Sequence, residues 1–407
     1  MRNGPIENCA RRLEVRLVRR RWMAAFALLA FPCFLGAQHT DDSKPAVTNV
    51  RAAEYPRVHA DGRVTFRVKA PTAQKVQVQP GPAAGEPSGL GAGRFDMVRD
   101  KDGVWTVTTP PAVPGFHYYW LLVDGVEVND PSSETFFGYN KETSAVEVPE
   151  PGVEFYLPKA VPHGEIHEHW YHSGITGEWR RAAVYTPPGY DANPRTRYPV
   201  LYLQHGGGEN VTGWPRQGRM NFILDNLIAE RKAQPMIVVM ETGYAFRPGE
   251  KPPAAGAPQV AHSTLEDVIV TELIPNIDAS YRTLADRDHR AMAGLSMGSR
   301  QTLQITLTNL DKFSYIGAFS RPPAADFDAT SAYNGVFHDA AAFNKKVHLL
   351  WMGAGTTEHQ IHDSAKASHE ALDKAHIKNV FIEFPGTAHE WQTWRKALYD
   401  FAPRLFR

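Results

Sequence analysis

Arg290-Ala-Met-Ala-Gly-Leu-Ser296-Met-Gly-Ser-Arg-Gln-Thr-Leu303 is the stretch on which the reading of this chain turns. Arg290 to Ala293 has the look of a short strand, and Leu303, Leu307 and Leu310 mark the apolar face of a helix that follows. Between them stands Gly294-Leu-Ser296-Met-Gly298, a G-x-S-x-G pentapeptide. A serine on a strained strand-to-helix turn exposes its hydroxyl, and glycines flank it because side chains there would clash. Alone the pentapeptide is a weak signal. A strand before it and a helix after it are the context that gives it meaning.

Working outward, Pro199-Val-Leu-Tyr-Leu-Gln204, Pro235-Met-Ile-Val-Val-Met240, Val347 to Met352 and Val380 to Phe384 read as buried strands. Ser263-Thr-Leu-Glu266 is a capping box that opens a helix through Val268, Leu273 and Ile277. Strands alternating with helices imply a largely parallel sheet, so residues 165–407 are expected to form an α/β domain of the α/β-hydrolase class. Residues 46–150 read differently. Val64 to Lys69 alternates apolar and polar residues, Val76 to Val78, Trp105 to Val107 and Tyr118 to Val123 repeat the strand signature, and Asp124-Gly125 supplies a tight hairpin turn. A small all-β sandwich is expected there. Gly81 to Gly93 is a Gly/Pro/Ala loop, and Pro149 to Gly152 with Pro158 to Pro162 look like linker.

A serine nucleophile needs a base, and the base needs an orienting carboxylate. In this fold class the order along the chain is serine, acid, histidine. His389 lies just past the last expected strand and is read as the base. For the acid, Glu358 at the end of Gly353-Ala-Gly-Thr-Thr-Glu358 is favoured, with Asp363 as the alternative, either as acid or as cap of the next helix. His205-Gly-Gly-Gly208 follows a strand directly, and side-chain-free residues let backbone N–H groups approach a developing oxyanion. The expected donors are the N–H groups of Met297 and Gly207, with Gly208 as the alternative. Among the aromatics, Trp214, Trp391 and Tyr244 are read as substrate-binding, against the plain alternative of core packing. His167, His169 and His172 lack a complete ligand set with known spacing, so no metal is expected. The loops 245–259 and 321–337 fall on the same edge, the first read as a lid or as a simply disordered segment.

The composition, 43% hydrophobic and 22% charged, is ordinary for a globular protein. The N-terminus stands apart. Arg16, Arg19, Arg20 and Arg21 precede an apolar run from Trp22 to Leu35, closed by Gly36-Ala37, and this describes a secretory signal peptide over residues 1–37. The alternative is a membrane anchor, for which the run is short. Cleavage would remove both cysteines, Cys9 and Cys33, so the mature chain is expected to hold together without disulfides. Cleavage also removes seven Arg and two Glu from 44 basic and 44 acidic residues, which leaves a net charge of −5. A mildly acidic surface argues against nucleic acid or an anionic membrane as partner. The expected location is periplasmic or secreted.

With these residues in place, the catalytic half resembles the esterase D-like branch of carbohydrate esterase family 1, which holds feruloyl and acetylxylan esterases, with enterochelin esterases as relatives. The resemblance covers nearly all of 165–407. It rests on Val184-Tyr-Thr-Pro-Pro-Gly-Tyr190, His205-Gly-Gly-Gly with Trp214, Tyr281-Arg-Thr-Leu284, Ala293 to Gly298, Phe313 to Ser320 and His389-Glu-Trp391. The β-domain resembles the immunoglobulin-like, carbohydrate-binding-module-like domain that often precedes such enzymes. The resemblance implies an acylated plant polysaccharide, feruloyl or acetyl, as substrate, and no cofactor. A siderophore lactone is the alternative substrate, and a non-catalytic carbohydrate-binding protein the alternative of another class. Three departures stand out: Ser299 and Glu358, where many relatives have Gly and Asp, and Glu241-Thr-Gly-Tyr244, in place of a more usual Asp-Asn-Gly-Tyr.

Overall fold

Ser296 is mounted on an eight-stranded sheet. Its strands are β1 Glu165–His172, β2 Trp179–Thr186, β3 Val200–Gln204, β4 Ile237–Glu241, β5 Arg290–Leu295, β6 Tyr315–Phe319, β7 Leu349–Gly355 and β8 Val380–Phe384. The spatial order is β1-β2-β4-β3-β5-β6-β7-β8. The pairs β1/β2 and β2/β4 are antiparallel, and every later pair is parallel. The structure is a computed structural model and describes residues 41–81, 88–252, 262–321 and 327–407. The leader reading at 1–37 lies outside the described residues, as do 82–87 of the Gly/Pro loop, 253–259 of the first edge loop and 322–326 of the second.

Strands β3, β4, β5 and β6 are buried along their whole length, which parallel strands require when helices cover both faces. The two-residue period divides them cleanly. Leu201, Leu203, Val238, Met240, Ala291, Ala293 and Leu295 point to one face, and Val200, Tyr202, Ile237, Val239 and Met292 to the other. Each fully buried Val, Leu or Ile contributes about 1.5–3 kcal/mol of transfer free energy. The principal helices are α1 Met220–Ala229, α2 (Thr264–Asp267, continued through Val268–Leu273 and Ile274–Ser280), α3 Met297–Thr308, α4 Gln360–Lys374 and α5 Trp391–Phe401. The side chain of Ser263 accepts the N–H of Glu266 at 3.2 Å, as the capping box predicts. The Glu266 carboxylate, however, accepts from Thr308 and Asn309 at 2.8 Å each.

The N-terminal residues fold as two antiparallel sheets. One runs Lys44–Pro45, Arg57–Val58, Val64–Lys69, Val104–Thr108, Val98–Arg99. The other runs Thr135–Gly138, Lys141–Val148, Gly115–Val123, Val76–Pro80, Phe95–Asp96, with Val126–Val128 beside Gly115–Val123. Val64, Phe66, Val76, Val78, Tyr119, Leu121 and Val146 form their common core. Asp124-Gly125 turns with φ of +50° and +85°, the geometry a two-residue hairpin needs. A second tight hairpin turns at Tyr139-Asn140, φ +56° and +63°.

Residues from Asp42 to Arg407 make one compact unit, so these sheets and the eight-stranded sheet are in contact. Phe116, Phe136 and Ala145 belong to the same core cluster as Trp214 and Trp391. Across that contact, Arg395 of α5 meets Glu147 in a bidentate ion pair of 2.7 and 2.9 Å, both side chains buried. Removing one partner of such a pair typically costs about 3–5 kcal/mol, since the other charge stays buried.

Candidate active site

Ser296 sits between β5 and α3 with φ +51° and ψ −112°, a conformation outside the regions an ordinary residue prefers. The flanking glycines explain how the turn closes. A Cβ at Gly294 would lie 2.5 Å from the backbone carbonyl carbon of Gly298, and one at Gly298 would lie 2.5 Å from the carbonyl oxygen of His205. Both obstacles are backbone and cannot rotate away. The N–H of Ser296 donates to Phe319 at 2.9 Å and ties the turn to β6.

Two side chains converge on the serine from later in the chain. Ser296 Oγ lies 2.9 Å from Nε2 of His389, and Nδ1 of His389 lies 2.8 Å from Oε1 of Glu358. The second oxygen of Glu358 accepts the N–H of Gly355 at 2.8 Å, so the carboxylate is fixed at both ends. Glu358 and His389 are buried, 3% and 7% exposed. The His389 ring stands edge-on to Trp394 at 5.1 Å. A carboxylate on Nδ1 holds the imidazole in the tautomer whose Nε2 can take a proton from the hydroxyl. Asp363 is elsewhere: its side chain is 81% exposed and pairs with His362. Nor does it cap α4, since His359 holds that position and Asp363 falls within the first turn.

Met297 is the first residue of α3, where the N–H has no carbonyl one turn back. A Cβ built on Gly207 would stand 4.0 Å from that of Met297, so the glycine loop and the helix start lie side by side. Gly208 corrects the reading of it as an alternative donor. Its N–H donates to the Tyr244 hydroxyl at 2.7 Å and its φ is +77°. His205 locks the same loop from behind: its Nδ1 bonds the Gly206 carbonyl at 2.8 Å, and its Nε2 accepts the N–H of Gly243 at 2.9 Å. Burial pushes the His205 imidazole down to about 4, which agrees with that neutral tautomer.

A cavity of about 480 Å³ opens in front of Ser296. Phe116, His117, Tyr118 and Tyr139 of the N-terminal sheets wall it on one side, and Glu209, His389, Glu390, Trp391 and Trp394 on the other. Trp391 therefore does face the cavity. Trp214 does not: it is fully buried, its indole N–H donates to the Gln204 carbonyl at 2.9 Å, and its ring packs against Phe319 and Trp391. Tyr244 is a brace for Gly208 rather than a wall of the cavity. Glu241 likewise points away, into a buried bidentate pair with Arg180 at 2.8 and 2.9 Å. His167 and His169 bond Thr186 and Asn276, and His172 packs edge-on against Trp179, so the three histidines do not converge.

Sequence reasoning missed Glu209 and the whole N-terminal wall. Glu209 is buried beside the glycine loop, accepting the N–H of Gly206 at 3.1 Å and, at 3.3 Å, the hydroxyl of Tyr118. Burial pushes its carboxyl up to about 7. The available signal was its place directly after His205-Gly-Gly-Gly208. Nothing along the chain announced that Tyr118 would reach it from 91 residues away.

Residues 173–405 match the family model Esterase, described as "Putative esterase". An endo-1,4-beta-xylanase/feruloyl esterase of Xylanibacter ruminicola is 39% identical over 375 residues, which cover 90% of this chain and 48% of that protein. The chain thus spans about half the length of this curated relative. Among solved structures, a CE1 ferulic acid esterase from Anaeromyces mucronatus is 25% identical with a TM-score of 0.53, over 62% of this chain and 96% of that one. The enterochelin esterase of Shigella flexneri shares the fold at 16% identity, with a TM-score of 0.61 over 85% of this chain and 92% of its own.

Proposed function

Because the chain belongs to the Esterase family, we propose that it is a serine carboxylic-ester hydrolase that releases feruloyl groups from plant polysaccharide. The observation that carries this reading is the relay Ser296–His389–Glu358, with contacts of 2.9 and 2.8 Å, opening on an aromatic-walled cavity. Ser296 Oγ attacks the ester carbonyl carbon while its proton passes to Nε2 of His389. The Nδ1–H stays on the imidazole and is stabilised by Glu358. The N–H groups of Met297 and Gly207 hold the tetrahedral oxyanion, a contribution of about 3–4 kcal/mol per donor in comparable sites. His389 gives the proton to the sugar oxygen as its bond to the acyl carbon breaks, the sugar leaves as the alcohol, and the acyl-enzyme forms. Water, deprotonated by the same nitrogen, then releases the acid and restores Ser296. No cofactor enters these steps.

The relatives' names support a feruloyl substrate, and so do the Phe116, Tyr118, Tyr139 and Trp391 rings on the cavity wall. No Lys or Arg stands among the described lining residues, so the cavity lacks the basic cluster that an anionic ferric siderophore would favour. In this reading residues 165–407 are the catalytic domain and 46–150 an accessory, immunoglobulin-like one, and the chain is exported after removal of 1–37. Among the described residues no helix is long and apolar enough to cross a membrane.

The test is turnover of methyl ferulate, acetylated xylan and a catecholate triester siderophore by the purified chain. Methyl ferulate should be hydrolysed best. Preference for acetylated xylan replaces the acyl group, preference for the siderophore replaces the substrate class, and xylan binding without any turnover overturns the enzyme reading.

A further inference from the structure

Glu390 follows His389 directly, yet its side chain is held from the N-terminal sheets. Its Oε1 accepts the N–H of Gly89 at 2.7 Å, and its Oε2 lies 3.3 Å from Nδ1 of His117. His117 stands on strand Gly115–Val123, is buried, and bonds the Val113 carbonyl through Nε2 at 2.6 Å. Nε2 is hydrogen-bonded and Nδ1 lies at ion-pair distance from a carboxylate, surroundings that favour an imidazolium. Burial is the largest influence and works against that charge, but the Glu390 carboxylate, the Val113 carbonyl and Glu147 together hold the imidazole above its ordinary value. Position 89 has no room for a side chain. A Cβ there would fall 2.5 Å from Cε1 of His117 and 2.8 Å from Oε2 of Glu390, between the two charges.

The glycine loop leans on the same sheet. The N–H of Asn140, in the turn between Thr135–Gly138 and Lys141–Val148, donates to the Gly208 carbonyl at 2.8 Å. A Cβ on Gly208 would lie 3.1 Å from the Cα of Tyr139. Tyr118 from the adjoining strand reaches Glu209. The loop that carries the base and the loop beside the oxyanion are therefore both braced by one sheet from outside the catalytic fold.

We infer that Gly89, His117 and Glu390 form a latch by which the N-terminal sheets position His389 for catalysis. The inference rests on the reading of Ser296 and His389 as the reacting pair. Glu390 is a positioning residue: its backbone is continuous with His389, its N–H bonds the Ala388 carbonyl at 2.8 Å, and it opens helix α5. A shift of its carboxylate carries the imidazole with it. A misplacement of about 1 Å at a reacting group is enough to cost roughly a hundredfold in rate.

The test uses the full chain with His117→Gln, Glu390→Gln, the double variant, and Gly89→Ala. Two rates are read: turnover of methyl ferulate, and labelling by a small fluorophosphonate, which needs the serine–histidine pair but no feruloyl pocket. Each single variant should lose about ten- to a hundredfold in kcat at nearly constant KM, with labelling slowed by the same factor. The double variant should be no slower than the slower single one. Variants that melt at a lower temperature but keep kcat and labelling within twofold of wild type overturn the latch and leave a plain structural contact. Glu390→Gln is isosteric and keeps the test open should Gly89→Ala fail to fold. If the wild-type chain is labelled but turns over no ferulate, the substrate reading fails and the latch is still judged on labelling. A wild-type chain that is neither labelled nor active overturns both.

Discussion

The N–H of Gly208 donates to the hydroxyl of Tyr244 at 2.7 Å, and this bond joins the glycine loop after β3 to the loop after β4. Gly207 next to it is left to face the start of α3. Tyr244→Phe removes the acceptor and leaves a part-buried N–H unpaired, which costs about 1–3 kcal/mol. The expected outcome is lower thermal stability and a several-fold loss in kcat, with KM for methyl ferulate unchanged. A variant that raises KM alone would return Tyr244 to the substrate-binding role.

Glu358 and Asp363 make a clean comparison, because one is buried against His389 and the other is exposed against His362. Glu358→Gln retains size but favours the wrong imidazole tautomer, and kcat should fall by about 10²–10⁴. Asp363→Asn should remain within twofold of wild type. Steady-state kinetics on any hydrolysed ester separates the two.

Glu209 should impose a pH dependence on stability. Burial raises its carboxyl from 4.5 to about 7 in the folded chain. Between those values the folded state binds more protons than the unfolded state, so this group's contribution falls as pH rises from about 4.5 through about 7. At the alkaline end the loss is on the order of 3 kcal/mol. Urea unfolding of wild type and Glu209→Gln should therefore show the variant gaining relative stability between pH 5 and pH 8. A constant difference across that range would mean the carboxyl titrates normally.

Trp214→Phe tests whether that indole serves the core or the substrate. The indole N–H is committed to Gln204, so its loss should destabilise the chain by about 1–3 kcal/mol and leave KM essentially unchanged. Thermal melting with parallel kinetics decides this.

The elbow was legible because its constraint is local: two glycines, a strand before and a helix after all fall within a few residues. The positions of His389 and Glu358 followed from a fold whose strand ends share one edge. Trp214 misled because proximity along the chain to a glycine loop says nothing about which way an indole turns, and here it turns into the core. The hairpin at Tyr139-Asn140 escaped notice because its turn lacks the usual Asn-Gly or Asp-Gly pair, although its φ values are those of such a turn. The N-terminal wall of the cavity was beyond sequence reasoning altogether. Contacts such as Gly89 with Glu390 join residues 301 positions apart, and only the packing of the N-terminal sheets on the catalytic fold creates them.

The most direct measurement is mass spectrometry of the intact chain during methyl ferulate turnover, for wild type and Ser296→Ala. An acyl-enzyme route through Ser296 requires a feruloyl adduct that maps to residue 296 in the wild type. In the variant the adduct should be absent, with kcat down by about 10⁴ or more. An adduct on another residue, or Ser296→Ala turning over at a rate near wild type, would contradict it.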